Sequence, residues 1–379
     1  MRNSVARGAE LVMVLGVFAA AACDKPRMDA PPPAPQPETR SAEVKPPGTS
    51  KLPEAKDPMK AADADMRKVL AELGALGGKP IPQLSAEEAR KQPTPTDAVK
   101  KVLEKDGKPT APLAMAKVEN RKIAGAAGPI DARIYTPKSD AKKPLPVIAY
   151  WHGGGFVIAD LDVYDASARA LAKEADAILV SLDYRHAPEA KFPAAHDDAF
   201  AGYQWVVKNA ASFGGDPKRI AVAGESAGGN LAANVSIMAR DMNAPMPVHQ
   251  LLIYPVAQTS LSTESYREWD NAKPLNKGMM AWFVEKYTRT PEDTKDPRLN
   301  LVDAKLEKLP KTTIVLAEID PLRSDGDMFA DKLKAAGVAV DKKTYEGVTH
   351  EFFGMGAAVG DAKDAESYAG GRLKDAFKQ

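Results

Sequence analysis

Residues 220–229 read Ile-Ala-Val-Ala-Gly-Glu-Ser-Ala-Gly-Gly. Four apolar residues without a break suit a strand buried on both faces, because a half-exposed strand alternates. Ser226 follows, set among Gly224, Ala227, Gly228 and Gly229, and residues 227–239 then show helical spacing of their apolar side chains. Strand, G-x-S-x-G and helix in direct succession predict a sharp elbow that lifts the Ser226 hydroxyl above the sheet at a helix N-terminus. There the helix dipole and free backbone N–H groups favour developing negative charge. The bland alternative is a glycine-rich turn with a capping serine; the buried strand in front and the helix behind favour the elbow.

Outward from this segment, the runs at 147–151, 177–182, 250–254 and 313–317 are also short and almost continuously apolar. Amphipathic stretches at 165–174, 197–210 and 227–239 lie between such runs and serve as crossover helices, so a mostly parallel α/β sheet is expected. Residues 117–123 and 130–135 alternate instead, around Gly-Ala-Ala-Gly at 125–128, which predicts an antiparallel hairpin. Before it, Val69, Leu70, Leu73 and Leu76 mark a helix over 59–76 that ends at Gly77-Gly78-Lys79-Pro80. Ser85-Ala86-Glu87-Glu88 opens another with a capping-box pattern. Residues 258–306 break the strand–helix rhythm with Trp269, Met279, Met280, Trp282 and Phe283, an insertion suited to form a lid with the N-terminal helices.

A serine nucleophile needs a base and a group to orient the base. With the chain order Ser, Asp or Glu, His, only His350 among the five histidines lies far enough downstream. His186, His196 and His249 read as structural or solvent-facing. Asp320, directly beyond the 313–317 run, is the expected acid, since such sheets place their sites at the carboxyl ends of strands; Asp325 is its rival. His152-Gly153-Gly154-Gly155-Phe156 follows another strand end. Its glycines let backbone N–H groups turn inward without obstruction, so Gly153, Gly154 and Ala227 are the expected oxyanion donors, with His152 pinning the loop. The alternative, a phosphate-type loop, lacks an accompanying Lys and Ser/Thr pair. Phe156, Trp282 and Phe283 are candidate walls of an acyl pocket, or else core of the lid.

Net charge of +1 from 52 basic and 51 acidic residues gives no electrostatic footprint for nucleic acid. One cysteine, Cys23, excludes internal disulfides and multi-cysteine metal sites. Arg2 and Arg7 precede the apolar run at 11–22, which is too short to span a bilayer and reads as a signal h-region. Ala20-Ala21-Ala22-Cys23 resembles a bacterial lipobox, although Ala20 stands where leucine is usual. Residues 1–23 are therefore expected to be a signal peptide ending at a lipid-attachment cysteine on an exported, membrane-anchored protein. Cleavage at Ala-x-Ala to release a soluble protein is the alternative. Residues 24–58 hold ten of the 31 prolines and almost no large apolar side chains, so an extended, disordered tether is expected. The globular part then covers 59–379, with an N-terminal cap over 59–115.

HGGGF at 152–156, DYRHAPE at 183–189, GESAGGN at 224–230, DPLRSDG at 320–326 and THEFFGM at 349–355 resemble, in that order, the hormone-sensitive-lipase family of α/β-hydrolases. The resemblance implies a carboxylesterase acting on short- to medium-chain esters through Ser226, Asp320 and His350, with no metal or cofactor and with an N-terminal cap. It also implies that 183–189 and 192–195 are scaffold near the glycine loop. The chain departs from the family pattern at His186, usually Leu, at Ser324, usually Asp, and at Glu351, usually Gly. Glu351 adds a carboxylate beside His350 and is expected to raise its pKa or to disfavour anionic acyl groups. An amidase or peptidase would use the same groups, and a non-catalytic binding lipoprotein is the remaining rival, although no triad member is missing.

Overall fold

The computed structural model describes residues 54–141 and 144–378. The signal-like segment, Cys23 and the tether up to residue 53 lie outside the described residues. Eight strands form one sheet: β1 (Lys117–Ala124), β2 (Pro129–Thr136), β3 (Leu145–Trp151), β4 (Ile178–Leu182), β5 (Gly215–Glu225), β6 (Gln250–Ile253), β7 (Thr312–Ile319) and β8 (Val340–Thr349). Their spatial order is β1-β2-β4-β3-β5-β6-β7-β8. The hairpin of β1 and β2 is antiparallel, β2 meets β4 antiparallel, and every other pairing is parallel.

Eleven α-helices occur among the described residues: α1 (Pro58–Ala61), α2 (Ala64–Ala75), α3 (Ala86–Ala89), α4 (Pro95–Lys105), α5 (Asp165–Ala175), α6 (Ala194–Asn209), α7 (Ala227–Asp241), α8 (Glu264–Glu268), α9 (Lys277–Tyr287), α10 (Arg323–Ala335) and α11 (Gly360–Ala376). The continuous apolar character of β3 follows from its two covered faces. Val147, Ala149 and Trp151 belong to the core beneath α6, α7 and α10, whereas Ile148 and Tyr150 belong to the core beneath α5 and α11.

The helix expected over 59–76 is two helices. Asp57 caps α1, and Asp63 starts α2 by accepting Met66 N–H at 2.8 Å, after extended backbone at Ala62. Helix α4 carries its own capping box, with Pro95 in its first turn and reciprocal Thr94–Asp97 bonds. The N-terminal region also divides between the two faces. Met66, Val69, Leu70, Ala98 and Val102 pack with the α5/α11 core. Ala86 and Ala89 belong to the other core, as do Trp282 and Phe283 of α9, and Trp282 Nε1–H donates to Leu84 O, which ties the insertion to the segment around α3. Arg90 bolts this segment down by donating to Val157 O and Ala187 O and pairing with Glu189.

Candidate active site

The carboxyl ends of β3, β5, β7 and β8 carry His152, Ser226, Asp320 and His350 respectively. Ser226 has φ 54° and ψ −116°, a conformation that costs an L-residue on the order of 1–3 kcal/mol. The surroundings hold it there: Ser226 N–H donates to Ile253 O at 2.9 Å, and Ser226 O accepts from Val256 and Asn230 N–H at 3.1 Å each. Glycine on either side is a steric requirement. A Cβ on Gly224 would lie 2.1 Å from Gly228 O, and one on Gly228 would lie 2.0 Å from Trp151 O.

His350 Nε2 is 3.0 Å from Ser226 Oγ, and His350 Nδ1 is 2.7 Å from Asp320 Oδ2. The other Asp320 oxygen accepts Leu322 N–H at 2.8 Å, which fixes the carboxylate plane. All three groups are buried. Burial alone would depress the imidazole pKa, but the charge and hydrogen bond of Asp320, with Glu351 and Glu225 behind it, raise it above the ordinary histidine value. Asp325, the rival acid, is buried on α10 and bonds Gln258 Nε2 at 2.8 Å. The geometry therefore pairs His350 with Asp320.

The glycine loop sits against this centre. Neither Gly153 nor Gly154 N–H has an acceptor among the described residues, and Ala227, as the first residue of α7, has no intrahelical acceptor to use. Close packing shapes the loop: added Cβ atoms would lie 2.3 Å from Tyr164 Oη at Gly153, 2.1 Å from Ile158 O at Gly154 and 2.3 Å from the Phe283 ring at Gly155. His152 Nδ1 donates to Gly153 O at 2.8 Å, and Tyr184 Oη donates to the same oxygen at 3.0 Å. The 183–189 segment is thus scaffold, extended by the Arg185 pair with fully buried Asp198. Burial pushes His186 and His196 down to about 4. His196 bridges Tyr287 Oη and Asn230 Oδ1 inside the core.

Sequence reasoning missed a buried acid–tyrosine layer under the histidine. Glu225 accepts the hydroxyls of Tyr150, at 2.6 Å, and Tyr254. Burial and the nearby Glu351 raise it to about 8. Tyr254 also lies against the His350 ring, with centroids 4.4 Å apart. Glu351 accepts the Tyr164 hydroxyl on both oxygens, at 2.6 and 2.7 Å, and burial raises its pKa although 20% of its side chain stays exposed. The sequence signal was the carboxylate next to the elbow serine; its tyrosine partners come from other strands.

A small cavity, of about 20 Å³, adjoins the glycine loop and is lined by Gly155, Phe156, Met280, Phe283, Tyr287 and Leu299 among others. Ser226 does not line it; of the lining residues, Gly155 belongs to the glycine loop and Val256 donates its N–H to the serine carbonyl. Phe156 and Phe283 line this cavity. Trp282 takes the core alternative: it is buried, donates Nε1–H to Leu84 O at 3.1 Å, and fastens α9 to the N-terminal segment.

Residues 148–354 match the model of a family described as alpha/beta hydrolase fold. A carboxylesterase of Mycobacterium tuberculosis, NlhH, is 41% identical over 252 residues, which cover 65% of this chain and 79% of that protein. The ethyl acetate hydrolase of Pseudomonas putida is 33% identical over 302 residues, 78% of this chain and 92% of that protein. Among solved structures, an esterase of Pyrobaculum calidifontis superimposes with a TM-score of 0.72 at 35% identity, over 83% of this chain and 98% of that one.

Proposed function

This chain belongs to the hormone-sensitive-lipase family of α/β-hydrolases and is a carboxylic ester hydrolase, and from that premise we propose that it cleaves short- to medium-chain esters through a covalent acyl-serine. The observation that carries the reading is His350 held between Ser226 Oγ, at 3.0 Å, and Asp320, at 2.7 Å. His350 Nε2 takes the serine proton as Oγ attacks the ester carbonyl carbon. The carbonyl oxygen, now an anion, receives hydrogen bonds from the N–H groups of Gly153, Gly154 and Ala227. Each such donor is worth about 3 kcal/mol in the transition state. Asp320 holds the imidazole in the required tautomer and stabilises its charged form. The protonated imidazole then gives its proton to the departing alkoxide. A water deprotonated by the same nitrogen attacks the acyl-serine, and the acid leaves with Ser226 restored.

The chain-length reading is supported by the narrow cavity beside the glycine loop, whose aromatic walls leave little room for a long acyl chain. The test is a p-nitrophenyl ester series from acetate to decanoate, with Ser226→Ala as control. Highest kcat/KM at decanoate, or turnover surviving in the variant, would overturn it. Export and lipid anchoring at Cys23 complete the proposal, supported by the apolar run before that residue and the proline-rich stretch after it. Cys23→Ser should release the protein from membranes; unchanged fractionation would favour the soluble form.

A further inference from the structure

We propose that His152, Asp183 and His186 form a binding site for a zinc-class divalent ion, which would clamp the end of β4 to the base of the glycine loop. The mechanism assigns no chemistry to these three side chains. His152 Nε2 lies 3.2 Å from Asp183 Oδ1, and His186 Nε2 lies 3.4 Å from the same oxygen. The three ligand atoms fall within 4.8 Å of one another. Tetrahedral zinc, with bonds of about 2.0–2.2 Å to nitrogen and carboxylate oxygen, spaces neighbouring ligand atoms by about 3.3–3.5 Å. The His186–Asp183 separation of 3.4 Å matches that edge, and the His152–Asp183 separation of 3.2 Å falls just short of it.

The hydrogen-bond chemistry asks for a cation at this point. Gly153 O can only accept, so the bond from His152 Nδ1 places a proton on that nitrogen. In the neutral ring Nε2 then carries a lone pair, and it faces a carboxylate oxygen. His186 Nε2 is buried without a hydrogen-bond partner and faces the same oxygen. With His152 neutral, its Nε2 and the carboxylate oxygen are two lone-pair donors face to face, and one divalent ion accepts from both together with His186 Nε2. The backbone carbonyl on the far nitrogen of His152 is the support that metal-bound imidazoles use to fix ring and tautomer. Tyr184, stacked on His152 with centroids 4.7 Å apart, holds the ring plane. Two imidazole nitrogens and one carboxylate oxygen suit zinc better than calcium or magnesium, which take oxygen ligands. The cluster lies near the surface: 27% of the Asp183 side chain and 17% of the His186 side chain are exposed.

The test uses the full chain, stripped with a chelator and titrated calorimetrically with zinc chloride, with a parallel Co²⁺ titration read by visible absorption and melting temperatures measured with and without zinc. One ion per chain, a tetrahedral Co²⁺ spectrum and a higher melting temperature with zinc are expected. His186→Leu should weaken zinc binding at least about 100-fold while leaving metal-free hydrolysis of p-nitrophenyl butyrate within a few-fold of the parent. His186→Asn, which keeps a polar side chain, should behave alike. No stoichiometric binding, or equal zinc affinity in the parent and either folded variant, would overturn the site.

Discussion

The Glu351 carboxylate lies 3.7 Å from His350 Nε2, the same nitrogen that faces Ser226, and it is held there by the Tyr164 hydroxyl. A negative charge so placed favours the protonated imidazole and is one of the groups that raise His350. Neutral His350 is the form that accepts the serine proton, so turnover falls as pH drops through its pKa. Glu351→Gln should therefore move the acid limb of the kcat/KM profile to lower pH. An unmoved limb would show that the carboxylate does not act on the base. Glu351→Gly adds a second readout. Glu351 sits at φ 68°, where glycine relieves about 1 kcal/mol or more of backbone strain. That variant should show the same shift with little loss of melting temperature, despite the missing bond to Tyr164.

Two aspartates five residues apart should respond in opposite ways to amide substitution. Asp320→Asn leaves the shape but loses the tautomer control of His350, and kcat should fall roughly 10⁴-fold. Asp325→Asn should leave kcat within a few-fold, because its contacts are with Gln258 and not with the histidine. Its effect is on stability. Burial raises Asp325 to about 8 from an ordinary value near 3.8, so the folded state holds a proton that the unfolded state releases. The stabilisation it offers is full below about pH 4 and is lost as pH rises toward 8. The variant does not titrate, so its advantage over the parent should grow through that window, by up to about 1.4 kcal/mol per pH unit. Denaturant unfolding at pH 4, 6 and 8 measures it; a constant difference would contradict the shift.

The sheet and the Ser226–Asp320–His350 set were legible because each depends on local pattern. Residues 220–229 announce strand, turn and helix within ten positions, and 147–151 are apolar throughout because both faces of β3 are covered. The acid–tyrosine layer was not legible. Tyr164 and Glu351 are 187 residues apart, and nothing in either segment specifies the other. The two alternatives for Trp282 stayed open in the sequence for a related reason. Its spacing marks a helix with an aromatic face, but whether that face meets a cavity or Leu84 depends on how α9 seats on the N-terminal segment. Helix α4 carried a readable signal in Thr94-Pro95 with Asp97.

Gly153 and Gly154 should differ as alanine substitutions. At Gly154, with φ 92°, a Cβ meets the backbone carbonyl of Ile158 at 2.1 Å, which cannot move without the loop. Gly154→Ala should lower both kcat and melting temperature. At Gly153 the obstacle is the Tyr164 hydroxyl, the end of a side chain. Gly153→Ala should keep most of the fold but displace that hydroxyl from Glu351 and tilt the donor. A kcat loss of about 10²–10³ with KM little changed is expected, and equal melting losses in the two variants would refute the distinction.

If the acyl chain enters the cavity beside the glycine loop, Phe283 limits how far it extends. Its ring packs against Gly155 so closely that even a Cβ there would touch it, and it forms one wall of the cavity beside Phe156 and Tyr287. Phe283→Ala removes this wall while Trp282 still anchors α9 to Leu84. Because Phe283 is buried, the truncation should cost about 3–5 kcal/mol of stability. The space it vacates should admit longer chains, so activity on p-nitrophenyl octanoate should rise relative to butyrate, each added methylene contributing up to about 0.8 kcal/mol where it is fully buried. If the octanoate-to-butyrate ratio of kcat/KM stayed at the parent value in folded protein, the acyl chain would have to lie elsewhere than in this cavity.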